Sequence, residues 1–153
     1  MANASITLKQ SGVNSGNAMT IICQGVTVSG KKTNQVNPNA NFDGDIVKIH
    51  NVSIDNPVYT INNVRFTGAS GVLTYANLLS LFRSKFTGSD PVYLKVVYGK
   101  TGSTSQLVDS QGATESDGIA TVVKGFSFNI NVVDSQDGYL PVATITLIET
   151  KTS

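Results

Sequence analysis

The chain has 153 residues, 40% apolar but only 14% charged, with a formal net charge of +1; ordinary soluble domains carry roughly 25% charged residues. That balance excludes a basic face for nucleic acid and an acidic solvating tail, and no run approaches the ~18 consecutive apolar residues of a membrane helix. One Cys and one His exclude an intramolecular disulfide and starve any zinc site of ligands.

The length fits one domain over residues 1–153. The lone Cys23 suits a reducing compartment. Met1-Ala2-Asn3-Ala4-Ser5 has neither the basic region nor the apolar core of a secretory signal, so cytoplasmic synthesis is expected. The polar remainder is mostly Ser, Thr, Asn and Gly. A surface so short of charge suits a chain whose outside becomes the inside of an assembly, because interface cores are depleted in charged groups.

Strand signals dominate from the start. Ser5-Ile6-Thr7-Leu8 alternates, and Ser11 to Asn17 is a loop; with the first residues it makes an N-terminal arm, 1–17. Met19 to Ser29 is one apolar run broken at Gly25. Lys31 to Gly44 reads as a loop, because Asn34, Asn37, Pro38, Asn39 and Asn41 are turn formers. Asp45 to Ile54 and Val58 to Phe66 are β-rich, and Asp55-Asn56-Pro57 between them predicts a hairpin.

One helix is predicted, from Tyr75 to Phe86. Tyr75, Leu78, Leu79, Phe82 and Phe86 form a single apolar stripe. Thr74 is placed to cap it, Arg83 and Lys85 suit its last turn, and Gly88 stops it. Val92 to Tyr98 is a strand, and Gly99 to Gly118 a long polar loop. In Thr121 to Val133, Val122, Phe126, Phe128, Ile130 and Val132 share one face, with Ser127, Asn129 and Asn131 on the other. The turn at Asp134 to Gly138 leads into Leu140 to Thr150, completing a second long hairpin. The fold class is mostly β: an antiparallel sandwich or barrel with long hairpins and one flanking α-helix. Unpaired edges of such long strands invite another chain.

Chemistry is sparse. No paired acid, base or nucleophile stands out, no Gly-rich phosphate loop or Gly-x-Ser-x-Gly elbow occurs, and no cofactor is called for; an enzyme is not expected. His50 reads as structural, and Cys23 as a buried, inert thiol. Asp43-Gly44-Asp45, Glu115 to Gly118 and Asp134 to Gly138 are oxygen-rich, but none has the spacing of a calcium loop and Asp and Gly are ordinary turn residues. Asn3-Ala4-Ser5 and Asn51-Val52-Ser53 match the glycosylation triplet in a chain without a secretion signal.

The order of elements resembles the tail tube proteins of tailed viruses and the tube subunits of contractile injection machines. A β-rich half, the helix Tyr75 to Phe86, the strand with Tyr93-Leu94-Lys95-Val96, a polar loop and a closing hairpin carry the resemblance over most of the chain. It implies a virion protein, made in the host cytoplasm, that forms hexameric rings stacked into a hollow tube. Two hairpins per copy would join a barrel around a lumen through which genome DNA passes without specific binding. Tape-measure, sheath and tail-terminator proteins are the other partners it implies, with no membrane.

Under that resemblance the lumen hairpins supply Ile49, Asn51, Ser53, Tyr59, Ile61, Asn63, Ser127, Asn129, Asn131, Thr144 and Thr146 as interface residues, and the polar loop supplies Leu107 and Val108. A lumen of Asn, Ser and Thr lets DNA slide, since phosphate affinity comes mainly from Lys and Arg. The alternative is a carbohydrate-binding or adhesin-type β-sandwich, with calcium held in the Asp-rich turns.

Overall fold

Strands that are apolar on one face need a second layer to cover them, and here the sheet supplies it by curling on itself. The structure is a computed structural model that describes residues 5–10, 18–37, 48–83, 91–100, 103–129 and 142–150. Its elements are β1 (Ser5–Gln10), β2 (Met19–Thr20), β3 (Gly25–Ser29), β4 (Lys32–Asn37), β5 (Lys48–Ile54), β6 (Val58–Arg65), α1 (Tyr75–Arg83), β7 (Val92–Lys100), β8 (Ser103–Gln106), β9 (Ile119–Asn129) and β10 (Val142–Glu149).

Eight strands form one antiparallel sheet in the order β2-β1-β7-β9-β10-β6-β3, with β8 added on β7. Its two ends meet. Ile21 N donates to Ile6 O on the β1 side at 2.8 Å, and the next residue, Ile22, accepts from Arg65 N on the β6 side at 2.8 Å. Two adjacent residues thus close a barrel, and Leu8, Ile61, Leu73, Leu78, Leu94, Ile145 and Leu147 fill its interior without solvent contact. Each such side chain stabilises the fold by about 1.5–3 kcal/mol.

Two bulges keep the apolar residues inward. On β6, Ile61 faces Ile145 and Val64 faces Ala143, so an extra residue lies between them, at Asn63, whose φ is 54°; Asn tolerates this left-handed conformation better than most residues. On β9, Val123 faces Leu147 and Gly125 faces Thr146, leaving Lys124 unmatched. Ile119, Thr121 and Val123 point in before the bulge, and Phe126 and Phe128 after it. The predicted shared face of Val122 with Phe126 is therefore wrong: Val122 lies on the outer side, opposite Ile148.

Four other expectations change. β5 and β6 do not form a hairpin; β5 pairs with β4, and β6 with β3 and β10. Asp55-Asn56-Pro57 is a kink within one long ribbon, where Asp55 N donates to Lys31 O at 2.9 Å. The stretch read as a loop from Lys31 contains β4, whose polar residues on both faces mask its strand character. Met19 to Ser29 breaks over residues 21–24, the closing seam, rather than at Gly25. The polar loop 99–118 holds the end of β7 and all of β8, paired from Val97↔Gln106 to Lys100↔Ser103.

The helix is capped by Thr74, whose Oγ1 accepts from Asn77 N at 3.1 Å. Arg83 lies in its last described turn; Lys85, Phe86 and Gly88 fall outside the described residues. Leu78 and Leu81 are its buried residues, so the core-facing stripe is rotated from the predicted one. Tyr75 and Phe82 instead cover the aromatic part of β9: Tyr75 stacks on Phe128 with centroids 4.5 Å apart, and Phe82 meets Phe126 edge-on at 5.3 Å.

Gly118 tests the packing of β9 on β7. Its φ is +104°, and a Cβ there would sit 2.8 Å from the carbonyl carbon and oxygen of Leu94. Gly118→Ala should cost at least about 2 kcal/mol and lower Tm by roughly 5 °C. Gly112→Ala, with φ +78° but open space around it, should cost about half as much, from backbone strain alone. Urea unfolding of both variants measures the difference.

Candidate assembly surface

Four strands stand out on the barrel wall: β9, β10, β6 and β3 are consecutive in the sheet. They comprise two hairpin ribbons side by side, β9 with β10 and β3 with β6. Their outer face is built from the residues that alternate with the core. Thr27 faces Thr60, and Thr60 faces Thr146, giving a threonine row across three strands. Thr144 faces Ser127, and Val142 faces Asn129. Asn62 Nδ2 donates to Thr27 Oγ1 at 3.1 Å, and Asn63 Nδ2 to Gln24 Oε1. Among the described residues this face carries two cations, Lys124 and Arg65, and no carboxylate.

Among the described residues, both margins of this four-stranded unit are open. β3 pairs on one side only, with β6. β7 reaches β9 only as far as Thr121, so β9 from Val122 to Asn129 pairs with β10 alone. Half of the backbone groups on each margin have no partner in the sheet.

The sequence-predicted interface residues divide sharply. Ser127, Asn129, Thr144 and Thr146 share the outer face, and Asn63 is exposed at its bulge. Tyr59 and Ile61 are corrected: at 1% and 0% exposure they belong to the core, because β6 turns its odd positions inward before the bulge. Ile49, Asn51 and Ser53 lie on β5, away from the barrel wall, at register positions opposite Val36, Asn34 and Thr33. Leu107 packs against the core, whereas Val108 is 41% exposed. Asn131 lies outside the described residues.

The segment after β8 is anchored rather than free. Asp109 folds it, its Oδ1 accepting from Gln111 N and Ala113 N at 2.9 Å each. Glu149 then ties it to the barrel, accepting from Ser110 N at 2.9 Å and from the Tyr59 hydroxyl at 3.3 Å. Glu149 is only 8% exposed, which sequence reasoning missed. The signal was present: the alternation of Ala143, Ile145 and Leu147 places Glu149 on the same inward face. Burial, then the charge of Glu149, pushes the Tyr59 phenol well above its ordinary value.

Two depressions flank this wall. A cleft of about 920 Å³ runs past Asp55, Asp109, Glu115, Asp117 and Glu149. A smaller, mainly apolar groove of about 470 Å³ follows the barrel seam beside Ile6, Val26, Val28 and Tyr98. Cys23 lines that groove, half-buried, and burial raises its thiol pKa, which disfavours the nucleophilic thiolate. His50 sits on β5 opposite Gln35. No group of three or more potential metal ligands occurs among the described residues.

No protein-family model matches the chain, and no curated protein matches it. The geometry of the surface itself therefore carries the functional reading.

The Tyr59–Glu149 contact has a pH signature. A phenol whose folded pKa lies above its unfolded value of 10.0 contributes stability that is complete below about pH 10 and lost as pH rises beyond it. Tyr59→Phe should lose about 1 kcal/mol at pH 7 and show a shallower alkaline decline than the native chain. Urea midpoints from pH 7 to 11 read both effects; parallel curves would remove Tyr59 from the account.

Proposed function

We propose that this chain is a self-assembling structural subunit that forms closed rings, stacked into a hollow tube of the viral-tail type. The observation that carries this reading is the four-stranded unit β9-β10-β6-β3, with both margins unpaired among the described residues and an outer face rich in Thr, Ser and Asn. Joining β3 of one copy to the outer half of β9 in the next satisfies backbone groups on both margins. Because the two margins differ, the contact is head-to-tail, and repetition by rotation closes a ring.

The face so assembled lines a channel. Its hydroxyl and amide groups offer a passing polyanion few strong attachments, while Lys124 and Arg65 provide weak attraction. The function is mechanical: to hold a smooth bore open and let genome DNA through. Catalysis has no part in it. The carbohydrate-binding alternative would draw on Tyr75 and Phe82, but these rings lie against Phe126 and Phe128, so they fit the role of sealing the barrel.

Disulfide trapping tests the ring. In a Cys23→Ser background, Cys is introduced at Thr27 or Ser29 together with Ser127 or Asn129. Oxidation of the assembled chain should give a ladder of covalent multimers ending in one closed species, with rings or tubes visible by negative-stain microscopy. A chain that stays monomeric, with no pair cross-linking, would falsify the proposal.

A further inference from the structure

The four-stranded unit has an inner face as well as an outer one, and its rows of side chains run to both margins. Val26 faces Ile61, Ile61 faces Ile145, and Ile145 faces Phe126. Val28, Tyr59, Leu147 and Val123 make a second row beside it. Residues directly opposite on neighbouring strands share a face. Ile61, Ile145, Tyr59 and Leu147 belong to the core, so both rows point inward. Each is apolar from end to end.

The two ends of these rows are covered differently. At the β3 margin the inner side opens on the apolar groove of about 470 Å³, walled by Ile6, Val26, Val28, Val96, Tyr98 and Leu107. Val28 is 48% and Tyr98 50% exposed there, although Val28 lies opposite buried Tyr59 and Tyr98 follows buried Val96 by two positions. At the β9 margin the inner side carries α1. Phe82 meets Phe126 edge-on there and is itself 45% exposed. One margin thus has an apolar hollow, and the other a half-exposed aromatic ring.

Strand direction brings them together. Three antiparallel steps separate β3 from β9, so the two run in opposite directions. A second copy rotated about the channel axis keeps the direction of its β9, which then meets β3 antiparallel. The inward rows continue from copy to copy across such a joint. The groove beside β3 and the Phe82 ring beside β9 therefore fall on the same side of it.

We propose that the aromatic edge of α1 in one copy, Phe82 on Phe126, seats in the apolar groove beside β3 of the next copy, against Val28 and Tyr98. This rests on the assembly reading, and it gives the groove one occupant, a second copy of this chain. The groove is continuous with the β3 margin, because Val26 and Val28 belong to both. Main-chain pairing supplies affinity, whereas pockets for side chains supply specificity, and a buried aromatic anchor carries a large share of the binding energy of an interface. The contact lies on the side away from the channel, so the threonine row remains free to line the bore.

Val28→Asp and Phe82→Asp, each in the full-length chain, test this by sedimentation. Either variant alone should associate at least about tenfold more weakly than the native chain. Mixed, they should form one-to-one pairs and nothing larger, because the unaltered groove of the Phe82→Asp chain still accepts the unaltered ring of the Val28→Asp chain. A misfolded variant gives no such pairing. Phe82→Trp, in a chain that otherwise has no tryptophan, should emit at shorter wavelength as the chain assembles. Native-like association of either Asp variant, no pairing in the mixture, or unshifted emission would overturn the proposal. Disulfide trapping between β3 and β9 separates it from the ring. A chain that ladders yet ignores both Asp substitutions loses only the groove contact. Asp-sensitive association that pairs in the mixture but gives no ladder loses only the strand joint, and a chain that never associates loses both.

Discussion

A closed barrel has no unpaired strand margins, and this barrel closes with only two residues. Ile21 reaches β1 and Ile22 reaches β6, so the seam is sealed at one point and β3 runs on beyond it with one side open. From that single constraint the other features follow. The sheet buries most of its apolar face, yet among the described residues it keeps a margin at β3 and another along β9 beyond Thr121. Backbone N–H and C=O groups at such margins either face water or find another chain. In this chain little else competes for that role, because charged gatekeeping residues are scarce there.

The two bulges decide what the outer wall looks like. Were β6 regular through Asn63, with no bulge to absorb the extra residue, the inward row of Tyr59 and Ile61 would turn Val64 out to solvent. Were β9 regular through Lys124, with no bulge, Phe126 and Phe128 would face outward and Ser127 and Asn129 inward. Each bulge costs a ladder position and returns a largely apolar core, under a wall that is polar and nearly uncharged. The same inward alternation carries Glu149 into the interior, where Tyr59 and Ser110 satisfy it and lock the segment after β8 to the barrel.

Much of this was legible in the sequence, and the failures have physical causes. The hairpin of β9 and β10 and the capped helix could be read because period-2 and period-3.6 patterns are strong there. β4 was not, because Lys32-Thr33-Asn34-Gln35-Val36-Asn37 is polar on both faces and its strand character comes from pairing with β5. The pairing of β5 with β6 was misjudged because Asp55-Asn56-Pro57 has the chemistry of a turn, whereas continuity of the ribbon lets it serve as a kink. Placing Tyr59 and Ile61 at an interface followed from that error. Thr144, Thr146, Ser127 and Asn129 emerged on one face because local alternation alone settles their side of the sheet.

The central claim is that open margins in one copy are covered by another. Amide hydrogen exchange, followed in the native chain across a concentration series, tests it most directly. The account predicts that amides of β3 and of β9 beyond Thr121 exchange freely in the dilute chain and become protected together as concentration rises, while those of β10, already paired on both sides, do not change. Equal exchange of the β3 and β9 margins at every concentration would contradict it.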